Sequence, residues 1–254
     1  MPETFDFTNE DKLLEKIVAA IVKGVGPDIR DYLTENQDET CNSLRSLRGD
    51  KINTNLRNYV VSDTVEMKTF NRHAWQGRIL IDREHKVTIT ICTKYTLEAI
   101  SKRKERSCPH YLMSLVNVEN HDVTPTYEQL SFLPDITRFS QEDYQNDYKN
   151  IMGGEVGLYD GYKHLAVVYE RNGYEVINIT ARLLDRELGT SVEYPLGRFI
   201  KPDFCDLTAE SSESEMKKND VHSLVTVKEK EPNDVKAPKQ AGLVTAKGQE
   251  EKRA

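Results

Sequence analysis

The chain has 254 residues, with 35 basic and 42 acidic side chains and a formal net charge of −7 at pH 7. This acidic balance argues against a general polyanion binder, although a local basic patch can still act. The opening is polar, and the longest apolar stretch, residues 13–25, contains three charged side chains, so neither a signal peptide nor a membrane span is expected. Four scattered cysteines fit a reducing, cytoplasmic setting.

The aromatic residues stop at Phe204, and residues 209–254 contain no Phe, Tyr or Trp. A segment that cannot bury apolar area cannot offset the entropy lost on ordering. The sequence therefore predicts one folded domain, residues 1–208, and a disordered tail, residues 209–254. The tail carries equal numbers of acidic and basic side chains, which leaves the full −7 on the folded domain.

Helices are predicted first along the chain. Thr8 is a candidate cap for a helix whose apolar residues recur at helical spacing until Pro27 bars its continuation. A short helix over 28–33 and a third over 38–48, stopped by Gly49, follow it. The apolar stripe of the first helix comprises Leu13, Leu14, Ile17, Val18, Ile21 and Val22.

Strand patterns then dominate, with two helices after them. Alternating apolar residues predict a hairpin whose turn lies between Asp82 and Val87. The basic run before Arg106 suits the end of a helix. The predicted segments are strands 59–61, 65–70, 78–82 and 87–92, then helix 95–106. The apolar run 111–118 suits a helix or a strand, and we favour a helix.

The second half begins with a capped helix, in which Ser140 and Asp143 form a capping box. Asn172-Gly173 predicts a hairpin between strands 164–170 and 174–185, and residues 190–194 add another strand. The whole pattern predicts an α+β fold, with a helical N-terminus and a mainly antiparallel sheet built from hairpins.

The first candidate for chemistry lies on the predicted strand 65–70. Glu66 and Lys68 project from one strand face, and Asp50 or Asp63 could supply a second carboxylate. Carboxylates hold Mg²⁺ and a lysine stabilises charge on phosphate, so this set resembles the core of the PD-(D/E)xK nucleases. That resemblance implies catalysis by these four residues, with Asp50 and Glu66 as metal ligands. The alternative is an ordinary amphipathic strand, because short motifs recur by chance.

A second match to the nuclease pattern has a defect. Asp82 and Lys94 bracket the first hairpin with suitable spacing, but Cys92 stands where the pattern requires an acid. Cysteine is a poor magnesium ligand, so this version predicts an inactive nuclease-like core. Without a nuclease site, no cofactor is expected.

Two basic groups are candidates for contact with nucleic acid. The first lies between residues 44 and 60, where a helix broken at Gly49 would be faintly similar to a helix-turn-helix. The second lies at the end of helix 95–106, beside Tyr95 and Tyr111, where basic and aromatic residues can hold phosphates and stack bases. A solvated helix end is the alternative. The candidate residues are Arg45, Arg48, Lys102, Arg103, Lys104 and Arg106.

Trp75 is the only tryptophan of the chain and precedes the first hairpin. Such a residue is either a packing anchor or an interface residue. The runs 75–82, 90–94 and 109–112, with 201–204 closing the domain, are similar to an uncharacterised family of proteins from Firmicutes and their phages. This resemblance implies a bacterial or phage protein of unknown function and carries over no catalytic residue.

Three functions stay open from the sequence. The first is a non-enzymatic module that binds another macromolecule, which the absence of a convincing catalytic set favours. The second is the Mg²⁺-dependent nuclease, and the third is a regulator that binds nucleic acid through the basic groups. Whether the chain is an enzyme, and its oligomeric state, are not decided by the sequence.

Overall fold

The computed structural model describes residues 6–36, 39–40, 42–72, 74–102, 106–124 and 139–201. The predicted tail, residues 209–254, lies outside the described residues. Within them, helices flank both faces of one six-stranded sheet, in the order β1 to β6. All neighbouring strands pair antiparallel except β3 and β4, which are parallel. The α+β prediction is therefore confirmed.

The bounds of the elements follow the predicted order of helices and hairpins. A short 3-10 helix, Phe7–Glu10, precedes the first α-helix and a second one ends the described chain. The helices are α1 Asp11–Val25, α2 Pro27–Glu35, α3 Leu44–Tyr59, α4 Lys94–Lys102, α5 Tyr111–Glu119 and α6 Gln141–Met152. The strands are β1 Val65–Arg72, β2 Trp75–Asp82, β3 Val87–Thr93, β4 Lys163–Asn172, β5 Glu175–Leu184 and β6 Thr190–Pro195.

Two apolar cores lie on opposite faces of the sheet. Residues of α1 and α3 pack on one face, and residues of α4, α5 and α6 pack on the other. In β2, Leu80 belongs to the first core while Ile79 and Ile81 belong to the second, as side-chain alternation requires. Helices α1 and α3 approach closely, since a Cβ on Gly24 would lie 2.8 Å from the backbone nitrogen of Ile52.

Three local predictions for the N-terminal region are wrong. The chain enters α1 through the 3-10 helix, where Asp6 and not Thr8 is the cap. Helix α3 runs through Gly49 to Tyr59, which replaces the predicted helix 38–48 and strand 59–61. A glycine inside a helix costs about 1 kcal/mol, and burial of Ile52 and Leu56 outweighs that cost. The faint helix-turn-helix pattern is therefore one continuous helix.

Other predictions are confirmed. The capping box at Ser140 and Asp143 begins α6, and Gly153 ends it in the left-handed conformation. Both hairpins form at the predicted turns, and residues 111–118 are helical within α5.

One helix is shorter than predicted, because α4 ends at Lys102 and not at Arg106. In the described part of the chain, no helix is both long enough and apolar enough to span a membrane.

Candidate functional site

The sheet opens between β2 and β3. The register between these strands covers three residue pairs and stops at Leu80 and Ile89, whereas β2 stays paired with β1 as far as Trp75. Strand β3 stays paired with β4 up to Thr93. A groove of about 810 Å³ occupies the opening, and we call it the split groove. Its lining includes Arg45, Arg72, Trp75, Arg78, Arg106 and Tyr111.

The split groove is basic although the chain is acidic. Four arginines line it, and Asp50 is its one acidic lining residue in the described part of the chain. Arg72 is already engaged, because it donates to Asp147 and to the carbonyl of Pro109. This leaves a positive charge excess in the groove, carried by Arg45 and Arg78.

Arg78 is a half-buried arginine of the groove with incomplete hydrogen bonding. Its Nη1 donates to the carbonyl of Gly77 at 3.0 Å, and its Nε is buried without a hydrogen-bond partner in the described structure. Neither Arg78 nor Arg45 has a carboxylate partner among the described residues. A buried donor without an acceptor costs about 1–3 kcal/mol. An anion in the groove would supply the missing acceptor.

Aromatic rings form the other wall of the groove. The side chain of Trp75 is 50% exposed and stacks on Tyr111, with ring centroids 5.3 Å apart. Phe70 supports Trp75 edge-on at 5.7 Å. A Cβ on Gly77 would lie 2.2 Å from the Phe70 ring, so this position has room only for glycine. The indole ring of Trp75 is therefore held by contacts with Phe70 and Tyr111, while half of the side chain remains exposed to solvent.

His110 shows the electrostatic character of this wall. Burial, with Arg106 and Arg72 nearby, lowers the pKa of His110 to about 3. The neutral ring accepts a hydrogen bond at Nδ1 from the backbone N–H of Leu112 and thereby caps α5. The histidine thus adds no charge to the groove at neutral pH.

The structure brings together residues that the sequence placed in separate groups. Arg45, Arg106 and Trp75 line one groove, although the sequence assigned them to two basic groups and one interface. Arg48 lies apart, with its guanidinium 5.7 Å from the centre of the Tyr174 ring. Burial, and then the charge of Arg171, lowers the pKa of Arg48. Lys102 ends α4, and Arg103 and Lys104 lie outside the described residues.

Arg72 and Arg78 were missed from the sequence. Neither belongs to a basic run, so composition gave no signal for them. Alternation along β2 places Arg78 on the same face as Leu80 and Asp82. This alternation could be predicted from the sequence, but the separation of β2 from β3 could not.

The nuclease candidates occupy different surroundings. Glu66 and Lys68 share a strand face as predicted, but Arg83 donates two hydrogen bonds of 2.8 Å to the Glu66 carboxylate. These bonds lower the pKa of Glu66, and Lys68 lies 3.7 Å from Glu155. Glu66 and Lys68 therefore belong to an exposed network of ion pairs.

The two predicted carboxylate partners do not join Glu66. Asp50 lies on α3, which packs against the face of β1 that carries Val65 and Met67, opposite to Glu66. Asp63 is exposed before β1, and among the described residues the hydrogen bonds of the Glu66 carboxylate come from Arg83 and not from Asp63. The predicted nuclease set thus remains a prediction that this geometry does not favour.

The second nuclease-like set is also dispersed. Burial raises the pKa of Cys92 to about 12, so this thiol stays protonated. Lys94 is bonded to Glu170 at 3.1 Å. Asp82 lies at the other end of the β2–β3 hairpin, where it pairs with Val87. Its neighbours there are Glu10 and His85, and these three residues are the one group in the described chain with the spacing of a metal site.

An enclosed polar network lies under α5 and α6. Glu119 accepts hydrogen bonds from Tyr148 at 2.8 Å and from Thr88, and the Thr88 hydroxyl accepts from Nδ1 of His164 at 2.7 Å. Nε2 of His164 in turn accepts from the Thr90 hydroxyl at 3.0 Å. Burial raises the pKa of Glu119 to about 7 and lowers that of His164 to about 3. Because the side chains of this network are hydrogen-bonded to one another, we interpret the network as structural.

The described chain is thus an α+β domain with a basic, aromatic-walled groove at a split in its sheet. Residues 7–246 match the model of a family described as "Family of unknown function (DUF5986)", and the chain belongs to that family. The expected membership of an uncharacterised family is thereby confirmed. No curated protein and no solved structure matches the chain.

Proposed function

We propose that this protein is a non-enzymatic module that binds single-stranded nucleic acid in the split groove. The observation that carries the proposal is the incomplete bonding of Arg78 inside a groove that also holds Arg45, Arg106 and Trp75. Arginine guanidinium groups bind phosphate through paired hydrogen bonds, and an exposed indole ring offers a face on which a base can stack.

The charge distribution supports an anionic ligand. The whole chain has a net charge of −7, yet arginine is the dominant charged residue in the groove. Such segregation confines polyanion binding to one place and disfavours it elsewhere on the surface. A phosphate backbone that contacts Arg45 and Arg78 gives salt-dependent binding with a log–log slope of about −1.4.

A single strand suits the groove better than a duplex. Arg78 lies half-buried in the floor of the opening, where it shares the strand face of Leu80. A flexible strand can place a phosphate in such a recess and a base on Trp75, whereas paired bases are stacked within the duplex.

The test uses fluorescence anisotropy with a labelled 12-nucleotide strand of DNA or RNA and the full chain. Arg45→Glu and Arg57→Glu form a matched pair, because both positions are exposed on α3 and both changes alter the charge equally. Arg57 does not line the groove. We expect Arg45→Glu to weaken binding about tenfold and Arg57→Glu to weaken it less than twofold.

Two results would contradict the proposal. The first is an absence of salt-sensitive binding by the unmodified chain, which would instead direct the search to a protein partner. The second is an equal loss in both variants, which would assign binding to overall charge and not to the groove.

The same samples test the nuclease alternative. The full chain and Glu66→Ala are incubated with DNA or RNA in the presence of Mg²⁺ or Mn²⁺, and the products are resolved on a gel. Cleavage that disappears in Glu66→Ala would make Glu66 catalytic and would overturn the non-enzymatic assignment. We expect no cleavage by either chain, since Arg83 already occupies both oxygens of Glu66.

A further inference from the structure

A second polar site lies at the other end of β2, away from the split groove. It is formed by Glu10, Asp82 and His85, which we call the Glu10 cluster. Glu10 ends the 3-10 helix before α1, Asp82 ends β2, and His85 lies in the turn between β2 and β3. Their ligand atoms all lie within 4.8 Å of one another.

The local chain explains the position of Asp82. Its Oδ1 accepts hydrogen bonds from the backbone N–H groups of Glu84 at 2.9 Å and His85 at 3.2 Å, which fixes the turn. Its Oδ2 is left to face Nδ1 of His85 at 3.0 Å. One oxygen of Asp82 thus shapes the turn, and the other points into the cluster.

Glu10 supplies an independent indication of a missing ligand. The residue is 1% exposed, and its Oε2 has no hydrogen-bond partner in the described structure. Its Oε1 lies 3.3 Å from Nδ1 of His85, the same nitrogen that Asp82 contacts. One imidazole nitrogen carries at most one proton, so the two carboxylates compete for a single donor. A buried carboxylate left in this state is costly.

We propose that the Glu10 cluster binds a divalent transition-metal ion. Two donors that lie about 2.1 Å from one ion are about 3.0 Å apart in octahedral geometry and about 3.4 Å apart in tetrahedral geometry. The two distances from Nδ1 of His85, 3.0 Å to Asp82 and 3.3 Å to Glu10, match these values. A set of two carboxylates and one imidazole suits Mn²⁺ or Zn²⁺ better than it suits Mg²⁺ or Ca²⁺.

The surroundings leave room for the ion and for further ligands. A cavity of about 510 Å³ adjoins all three side chains and is also lined by Glu84, Lys12 and other polar residues. Three protein ligands beside an open cavity leave coordination positions for water or for an anion. The site is therefore accessible from solvent although Glu10 and Asp82 are buried.

The experiment measures Mn²⁺ binding to the full chain by loss of the free-ion electron paramagnetic resonance signal. Mn²⁺ is the probe because the four cysteines of the chain would compete for Zn²⁺. The variants are Glu10→Gln and His85→Gln, and the matched control is His121→Gln, an exposed histidine outside the cluster. Asp82 is left intact because it holds the turn.

We expect the unmodified chain to bind one Mn²⁺ ion and to gain thermal stability from it, as mass action requires. Glu10→Gln and His85→Gln should each weaken binding at least about tenfold, and His121→Gln should change it less than twofold. Thermal unfolding of each variant without metal verifies that it folds. No Mn²⁺ uptake at millimolar concentration, or uptake unchanged in both cluster variants, overturns the proposal and leaves the cluster a simple ion pair.

Discussion

Strand β2 carries opposite chemistry at its two ends. Arg78 and Asp82 project from the same face of the strand, four residues and about 13 Å apart, with Leu80 packed between them. At the Arg78 end, β2 has separated from β3 and the groove is basic and open. At the Asp82 end the strands are paired, and the tight turn between them carries part of an acidic cluster.

Pairing between β2 and β3 decides what kind of site each end of β2 can form. Where β2 and β3 stay paired, the turn brings Asp82 and His85 together beside the buried Glu10. Where they separate, side chains from both sheet faces reach one groove, so that Trp75 and Arg78 line it together. The two sites should therefore respond independently to mutation.

The largest expected effect comes from reversing the charge in the floor of the split groove. Arg78→Glu should weaken binding of a single strand about 100-fold, which corresponds to about 2.7 kcal/mol. The physical reason is that a carboxylate would replace the buried donor and repel phosphate. Mn²⁺ binding by the same variant should stay within twofold of the unmodified chain. A parallel loss of both activities would show that the two ends of β2 are not separate sites.

The second effect concerns a buried carboxylate that does have partners. The pKa of Glu119 is about 7, above its ordinary value of 4.5, so the folded chain holds this proton more tightly than the unfolded chain does. The stability that neutral Glu119 provides is complete below pH 4.5 and is lost as the pH rises toward 7. The slope is about −1.4 kcal/mol for each pH unit, or about 2 kcal/mol between pH 5.5 and pH 7.

Urea unfolding of the unmodified chain and of Glu119→Gln at several pH values measures this term. The difference between the two chains isolates Glu119, because His164 titrates in both. His164 has a lowered pKa of about 3, so its own contribution runs the other way and is lost as the pH falls below 6.5. A difference that does not change between pH 5.5 and pH 7 would show that Glu119 is ionised within the fold.

The third prediction tests the aromatic wall of the groove. Trp75→Ala should weaken binding of a single strand about tenfold, since stacking on an aromatic ring contributes about 1–3 kcal/mol for each base. Tyr174→Ala is a control, because this half-exposed aromatic residue does not line the groove. Equal losses in both variants would remove the case for stacking on Trp75. Anisotropy measured at low and high salt separates stacking from charge.

Local signals in the sequence predicted much of the fold. The capping box at Ser140 and the turn at Asn172-Gly173 depend only on residues that are close in sequence, and both form as predicted. The prediction for α3 was wrong because the helix continues through Gly49. This continuation depends on burial of Ile52 against α1, which no local sequence pattern indicates.

The sites depended even more on distant contacts. Glu10 and Asp82 are 72 positions apart, and no pattern in the sequence linked one to the other. Arg45 and Arg106 were recognised as basic, but their shared groove exists because β2 leaves β3 at Leu80. Residue types were therefore predictable, whereas their grouping followed from the sheet.

The smallest expected effect is a change in the free energy of unfolding on substitution of Glu10, which lies at the acidic end of β2. The bonding of Glu10 differs from that of Glu119, the buried carboxyl group of α5. Glu119 accepts two hydrogen bonds, whereas the buried Oε2 of Glu10 has no partner in the described structure. Glu10→Gln removes a buried charge and should stabilise the metal-free chain by about 1 kcal/mol at pH 7. Glu66→Gln is the control, because Glu66 is an exposed ion-pair partner and its loss should cost about 0–1 kcal/mol. Urea unfolding in the presence of a chelator measures both. A destabilised Glu10→Gln variant would mean that the Glu10 carboxylate already has a favourable partner without metal, which would remove the main reason for placing an ion there.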